Sequence, residues 1–201
     1  IVGGLLAANS LSGDQLSQYQ MLKIASKIEG HADNIAPALL GGFRIVVQSE
    51  DEILTSSIPI PEELMSVIFI PDIPMPTKEA RAILDKTVTI EDAIFNLSRV
   101  SLLVNSFATN KLDDLMIATE DRIHQPKRSE IFPAMKYVIR AAKSAGALGA
   151  FLSGGGSSVM ALANSRFMTI GYEMLDAADK IGVPGEIKVV KPTHSGAQIK
   201  K

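Results

Sequence analysis

A two-layer α+β fold is predicted for this chain, on three observations. From residue 61 onward its segments run strand, helix, strand, strand, helix, strand. Val67–Ile70 (VIFI) is short and wholly apolar, which suits a strand covered on both faces. A glycine-rich loop, Ser153–Ser158 (SGGGSS), joins two further apolar runs. That order is the split βαβ, ferredoxin-like layer, here with extra helices. The 201 residues allow one or two domains. The expected division is 1–60 and 61–201.

Composition narrows the function classes. Hydrophobic residues make up 46% and charged residues 21%, an ordinary globular balance. The net charge of −2 and the absence of a basic run argue against a nucleic-acid surface. Cysteine is absent, which excludes disulfides and thiolate metal sites and fits a reducing, cytoplasmic setting. The opening IVGGLLAAN is apolar but only about half as long as a membrane span. It also lacks the charged start of a leader peptide. It reads as a helix already under way, so the natural protein is expected to extend upstream.

The elements follow in order. A first helix ends at Asn9, Ser10–Gly13 turns, and Ser12 or Asp14 caps a second helix. In that helix Tyr19, Leu22, Ala25 and Ile28 recur at helical spacing, and Gly30 stops it. Asp33 is the expected N-cap of a short helix over Ile35–Leu40. Phe43–Val47 and Ile53–Ile58 are strand candidates, the second bounded by Pro59 and Pro61. Prolines 71, 74 and 76 force an extended exit from VIFI, after which Thr77 can cap a helix over Lys78–Leu84. Ile90, Ile94, Leu97, Val100, Leu103, Val104 and Phe107 form the apolar stripe of the clearest helix. Leu112–Ile117 is a further short helix, and His124–Ser129 (HQPKRS) a polar loop broken by Pro126. Pro133 opens a helix that Gly146 closes. Ala150–Leu152 and Val159–Ala163 are strands flanking the glycine loop. Ser165 caps a helix ended by Gly182, with Phe167, Ile170, Met174, Leu175 and Ala178 inward, and Glu186–Val190 is the last strand.

Three features carry chemistry. Glu29–Gly42 (EGHADNIAPALLGG) packs an acid, a histidine, an aspartate and an asparagine into six residues, more polar groups than a core needs. His31, Asp33 and Asn34 can hold a polar ligand or metal, or form a capping turn on backbone amides. The glycines of SGGGSS let backbone N–H groups converge on one point as an anion nest, or simply make a tight turn. No Gly-Lys-Ser/Thr follows, so this is not a P-loop, and a strand rather than a helix follows, so it is not a dinucleotide fingerprint. Arg81 stands one helical turn after Thr77, so both can face one ligand. With Arg128 it offers forked donors suited to carboxylate or phosphate, although either arginine alone also reads as a solvated charge. His124 and His194 lack partners at metal-ligand spacing and read as loop residues.

Together these stretches resemble the homoserine kinase family, of the galactokinase–homoserine kinase–mevalonate kinase–phosphomevalonate kinase superfamily. Its HPDNVAPALLGG-like segment is similar to His31–Gly42, HADNIAPALLGG. A Thr-Lys-x-x-Arg segment is similar to Thr77–Arg81, TKEAR, and an EPxR-like loop to Gln125–Arg128. A superfamily motif like SGAGPS is similar to SGGGSS. The resemblance runs from Ile1 to the C-terminus.

It implies ATP-dependent phosphorylation of the homoserine hydroxyl, a step toward threonine, with Mg2+ as the accompanying ion. By resemblance, residues 1–60 are the remainder of an N-terminal α+β nucleotide-binding domain. Arg81 and Arg128 would grip the substrate carboxylate. Asp33, with His31 and Asn34, would meet its ammonium, and Thr77 would add a hydroxyl contact. Ser153, Gly154, Gly155, Gly156 and Ser157 would line the phosphates. Asp33 is the only candidate general base, and Glu29 the only candidate magnesium ligand. The sequence departs from the pattern in three ways, one being that Glu29 stands closer to His31 than the family's magnesium-binding glutamate does in some relatives. The ATP loop, similar to PxxxGLGSSAA, is expected before Ile1, so this stretch alone is expected to bind ATP poorly. Ser157 replaces a proline, which is expected to loosen the turn. The implied partners are homoserine and ATP, with no nucleic acid and no membrane; a homodimer is left open. Two other readings stand beside this one. They are a superfamily kinase acting on a phosphorylated or isoprenoid alcohol, and a non-catalytic amino-acid-binding module.

Overall fold

The computed structural model describes residues 1–50, 52–73, 75, 80 and 82–200. It divides into two compact units, Ile1–Ile60 with Pro192–Lys201, and Pro61–Lys191. Among the described residues no helix is long and apolar enough to cross a membrane.

The first unit holds α1 (Val2–Leu11), α2 (Gln18–Glu29), α3 (Ile35–Leu40), β1 (Phe43–Gln48) and β2 (Ile53–Ile58). The strands form an antiparallel hairpin in register from Phe43 opposite Ile58 to Gln48 opposite Ile53. Met21, Leu22 and Ala25 of α2 and Ile35, Ala36 and Leu39 of α3 make its core, with Val46 and Ile53 packed against them. The cap of α2 is Ser17, not Ser12 or Asp14. The Ser17 hydroxyl accepts from the Gln20 amide, and the Gln20 side chain accepts in return from the Ser17 amide. This reciprocal capping box satisfies two end donors at once, which a lone upstream cap cannot do. Ser12 instead ends α1. Gly30 closes α2 in the left-handed conformation, φ 89°.

The tail belongs to this unit rather than to the second domain expected from sequence. The Gly42 amide donates to the Thr193 carbonyl at 2.9 Å, and Ala197 to Ala38 at 2.9 Å. A Cβ on Gly41 would lie 2.4 Å from the His194 carbonyl oxygen, and one on Gly196 would lie 2.0 Å from the Leu39 oxygen. The glycines are there because two backbones touch.

The second unit is built on β3 (Met65–Pro71), followed by α4 (Ile90–Thr109), a 3-10 turn (Leu112–Asp114), α5 (Leu115–Ala118), α6 (Gln125–Ile131) and α7 (Ala134–Ser144). Then come β4 (Gly149–Leu152), β5 (Val159–Ala163), α8 (Phe167–Asp179) and β6 (Gly185–Val190). The sheet order β4-β5-β3-β6, with every neighbour antiparallel, is that of the ferredoxin-like layer. Met135, Val138 and Ala142 of α7 and Ile170, Met174 and Ala178 of α8 pack with Val67, Phe69, Val159 and Ala161 of the sheet. In β3 Val67, Phe69 and Pro71 are buried on one face, while on the other Ser66 is buried and Ile68 and Ile70 are partly exposed. The strand is therefore fully closed on one side and only partly on the other.

Two helix details differ from the sequence reading. His124–Ser129 is not a loop: Gln125–Ile131 is helical with Pro126 in its first turn, where a missing N–H costs nothing. The start of α8 is set by Arg166 in a left-handed conformation, φ 57°, not by a Ser165 side-chain cap. The long helix α4 forms as expected, but its stripe is largely open, with Ile90 79% and Leu97 67% exposed. Thr77 and Arg81 lie outside the described residues, as do Lys78 and Glu79 of the expected Lys78–Leu84 helix.

Candidate functional site

In the first unit, α2 ends and α3 begins within a few residues, and this places Glu29, His31, Asp33 and Asn34 on one short connection. The His31 ring pairs through Nδ1 with Asp33 Oδ1, and its Nε2 lies 3.7 Å from Glu29 Oε1. Asp33 Oδ1 also accepts from the Asn34 amide at 3.0 Å. Both of these contacts use one carboxylate oxygen, leaving Oδ2 on a side chain 73% exposed. Asp33 thus does not cap α3 as expected; Asn34 holds the N-cap position, with no side-chain cap bond.

In the second unit, SGGGSS closes the β4–β5 hairpin. Ser153 donates to the Ser158 carbonyl at 2.8 Å, and Gly156 to the Ser153 carbonyl at 3.0 Å. Gly154 and Gly156 take positive φ, 56° and 94°, and the Gly156–Ser157 peptide is cis. Among the described residues the amides of Gly154 and Gly155 have no acceptor, as an anion nest requires. The Ser157 hydroxyl is buried and donates to the Ile73 carbonyl at 2.7 Å, which anchors the turn. This corrects the expectation that replacing a proline with Ser157 loosens the loop.

Helix α6 brings Arg128 to that loop. Its Nη1 donates to the Gly154 carbonyl at 3.1 Å and its Nε to the Ala80 carbonyl at 3.2 Å. Gln125, one turn earlier, accepts from the Leu152 amide at 3.0 Å and ties α6 to the end of β4.

The start of α6 is held in turn by Asp121, which the sequence reading did not single out. Its carboxylate accepts from the amides of Ile123 at 3.0 Å and His124 at 2.9 Å, from the Gln125 amide, and from Asn96 Nδ2 at 2.6 Å. Partial burial pushes the Asp121 carboxyl up. The hydrogen bonds from Gln125, Asn96, Ile123 and His124 together outweigh that and hold it below its ordinary value. The signal was present as an aspartate shortly before a proline, a helix-start pattern.

Among the described residues no group of three or more His, Cys, Asp or Glu side chains could hold a metal ion. Glu29 is a single hard oxygen donor. That suits Mg2+ only where other oxygens, such as those of phosphates, complete the shell.

Two family models match the chain, GHMP kinases N terminal domain over residues 1–42 and GHMP kinases C terminal over residues 102–167. Homoserine kinase of Microchaete diplosiphon is 38% identical over 98% of this chain and 64% of its own length. That of Moorella thermoacetica is 35% identical over 99% of this chain and 67% of its own length. The crystal structure of homoserine kinase from Cytophaga hutchinsonii superposes with a TM-score of 0.90 at 33% identity, covering 97% of this chain and 64% of that one. L. major mevalonate kinase, at 20% identity and a TM-score of 0.65, shares the fold. The chain spans just under two thirds of the length of the first of these relatives.

Proposed function

The chain belongs to the homoserine kinase family of the GHMP kinases, and we propose that its protein transfers the terminal phosphoryl group of ATP to the side-chain hydroxyl of L-homoserine, in the cytoplasm, on the way to threonine. The observation that carries the proposal is Arg128 held against the glycine loop through the Gly154 carbonyl. A cation suited to a carboxylate then sits beside two amides suited to a phosphate.

Phosphoryl transfer rests mostly on positioning and on charge stabilisation. Arg128, with Arg81 assigned by sequence, would take the substrate carboxylate. Asp33 would take the ammonium through Oδ2, while His31 and the Asn34 amide hold Oδ1 in place. Thr77 would add a hydroxyl contact. Serving as ammonium anchor competes with serving as general base, so the anchor role is the one assigned to Asp33. The amides of Gly154 and Gly155 would cradle phosphate oxygens. Glu29 would contribute the one protein carboxylate to Mg2+, which neutralises phosphate charge when bound.

Isothermal titration with L-homoserine tests this. Replacing Arg128 with Ala removes one charge-assisted pair, worth roughly 1.5–3 kcal/mol, so affinity should fall at least tenfold. Undiminished homoserine binding by Arg128→Ala would remove the carboxylate role.

A further inference from the structure

An open surface groove of about 730 Å³ lies in the second unit between α4, the α5–α6 connection and α7, beside Ala150 of β4. None of the residues assigned to substrate or phosphate above lines it. Five cations do: Arg99 of α4, Arg122, and Lys136, Arg140 and Lys143 of α7. They face two carboxylates, and both of those are already engaged. Glu120 accepts from Arg99 at 3.0 Å, and Asp121 is taken up by backbone amides and Asn96. In a chain of net charge −2, composition alone does not produce such a cluster.

Its construction is specific. Lys136, Arg140 and Lys143 stand four and three residues apart, so they share one face of a helix that carries no acid. None of the three has an ion-pair partner among the described residues. Like charges at this spacing repel, a cost that a bound anion would reverse. Across the groove the guanidinium groups of Arg99 and Arg122 lie 3.5 and 4.0 Å from the centre of the Phe95 ring. Stacking on an aromatic face fixes the plane of a guanidinium; the Arg99 donors already go to Glu120 and Ser98, so of the two it is Arg122 whose fork is left to meet an anion. Arg122 is also 3.9 Å from Asp92, a long and partly exposed pair that leaves its charge largely available.

We propose that this groove binds a small molecule carrying clustered oxyanions, a phosphate ester or a polycarboxylate, at a site separate from the kinase site.

Titration of the full chain with pyrophosphate and, separately, citrate tests the assignment. The variants are Arg140→Ala combined with Lys143→Ala, and Arg128→Ala as the control on the glycine loop. At least one probe should bind and lose tenfold or more in affinity in the double variant, while Arg128→Ala leaves that binding unchanged. Preference for pyrophosphate would mark a phosphate ester as the ligand class, and preference for citrate a polycarboxylate. Binding of neither probe, binding unchanged in the double variant, or binding lost in Arg128→Ala would each overturn the proposal. Circular dichroism checks the fold of the double variant, and Arg140→Gln, which keeps most of the side chain's length, serves as a second variant.

Discussion

Asp33 holds its two carboxylate oxygens in different circumstances, one engaged by His31 and the Asn34 amide and one facing outward. That asymmetry sets its predicted role. Asp33→Asn keeps the shape and removes the charge that an ammonium requires. Homoserine affinity should fall tenfold or more in titration, whereas an alcohol substrate without an ammonium would be indifferent. The motif residues were readable because His31, Asp33 and Asn34 crowd together in a way no apolar core explains. The reason for Gly41 was not readable, because its steric partner, the His194 backbone, is remote in sequence. Gly41 takes φ 74°, and a side chain there meets that backbone. Gly41→Ala should therefore destabilise the first unit by roughly 1–3 kcal/mol in urea melts. Unchanged stability would mean that the tail contact yields at no cost.

Helix α6 carries Arg128, so what fixes its start also aims the guanidinium. Asp121 does this, with a carboxyl held below its ordinary value. The ionised form is the one the fold favours. Its stabilisation is therefore present above the unfolded carboxylate pKa of about 4 and is lost as pH falls through the lower folded value. Asp121→Ala should cost on the order of 1–2 kcal/mol at neutral pH and show a shallower loss of stability below about pH 4 than the parent. Acid-unfolding profiles that run parallel for the two proteins would contradict this. The helix itself was missed because Pro126 was weighed as a breaker, although proline is welcome in a first turn. Ser17 was passed over for Ser12 because the capping box depends on Gln20, three residues on. For α4 the 3.6-residue period identified which side chains share a face, but it carries no information on what covers them, and Ile90 and Leu97 stand open.

At the scale of the molecule the ferredoxin-like layer was readable, because strand order and the apolar VIFI segment are local signals that agree with one another. The placement of Pro192–Lys201 was not, since it rests on glycine contacts between stretches distant in sequence. Phe69 lies fully buried at the centre of the larger core, so Phe69→Ala should cost roughly 3–5 kcal/mol in denaturant unfolding. The proposed substrate, with both a carboxylate and an ammonium, rests on membership of the homoserine kinase family and on two separate local observations, Arg128 on the glycine loop in one unit and the outward Asp33 oxygen in the other. Saturation-transfer NMR on the chain in an equal mixture of L-homoserine and mevalonate tests that most directly, because both carry a hydroxyl and a carboxylate and only one carries an ammonium. Transfer to the homoserine protons, abolished by Asp33→Asn, is the predicted result. Transfer to mevalonate alone would contradict the account.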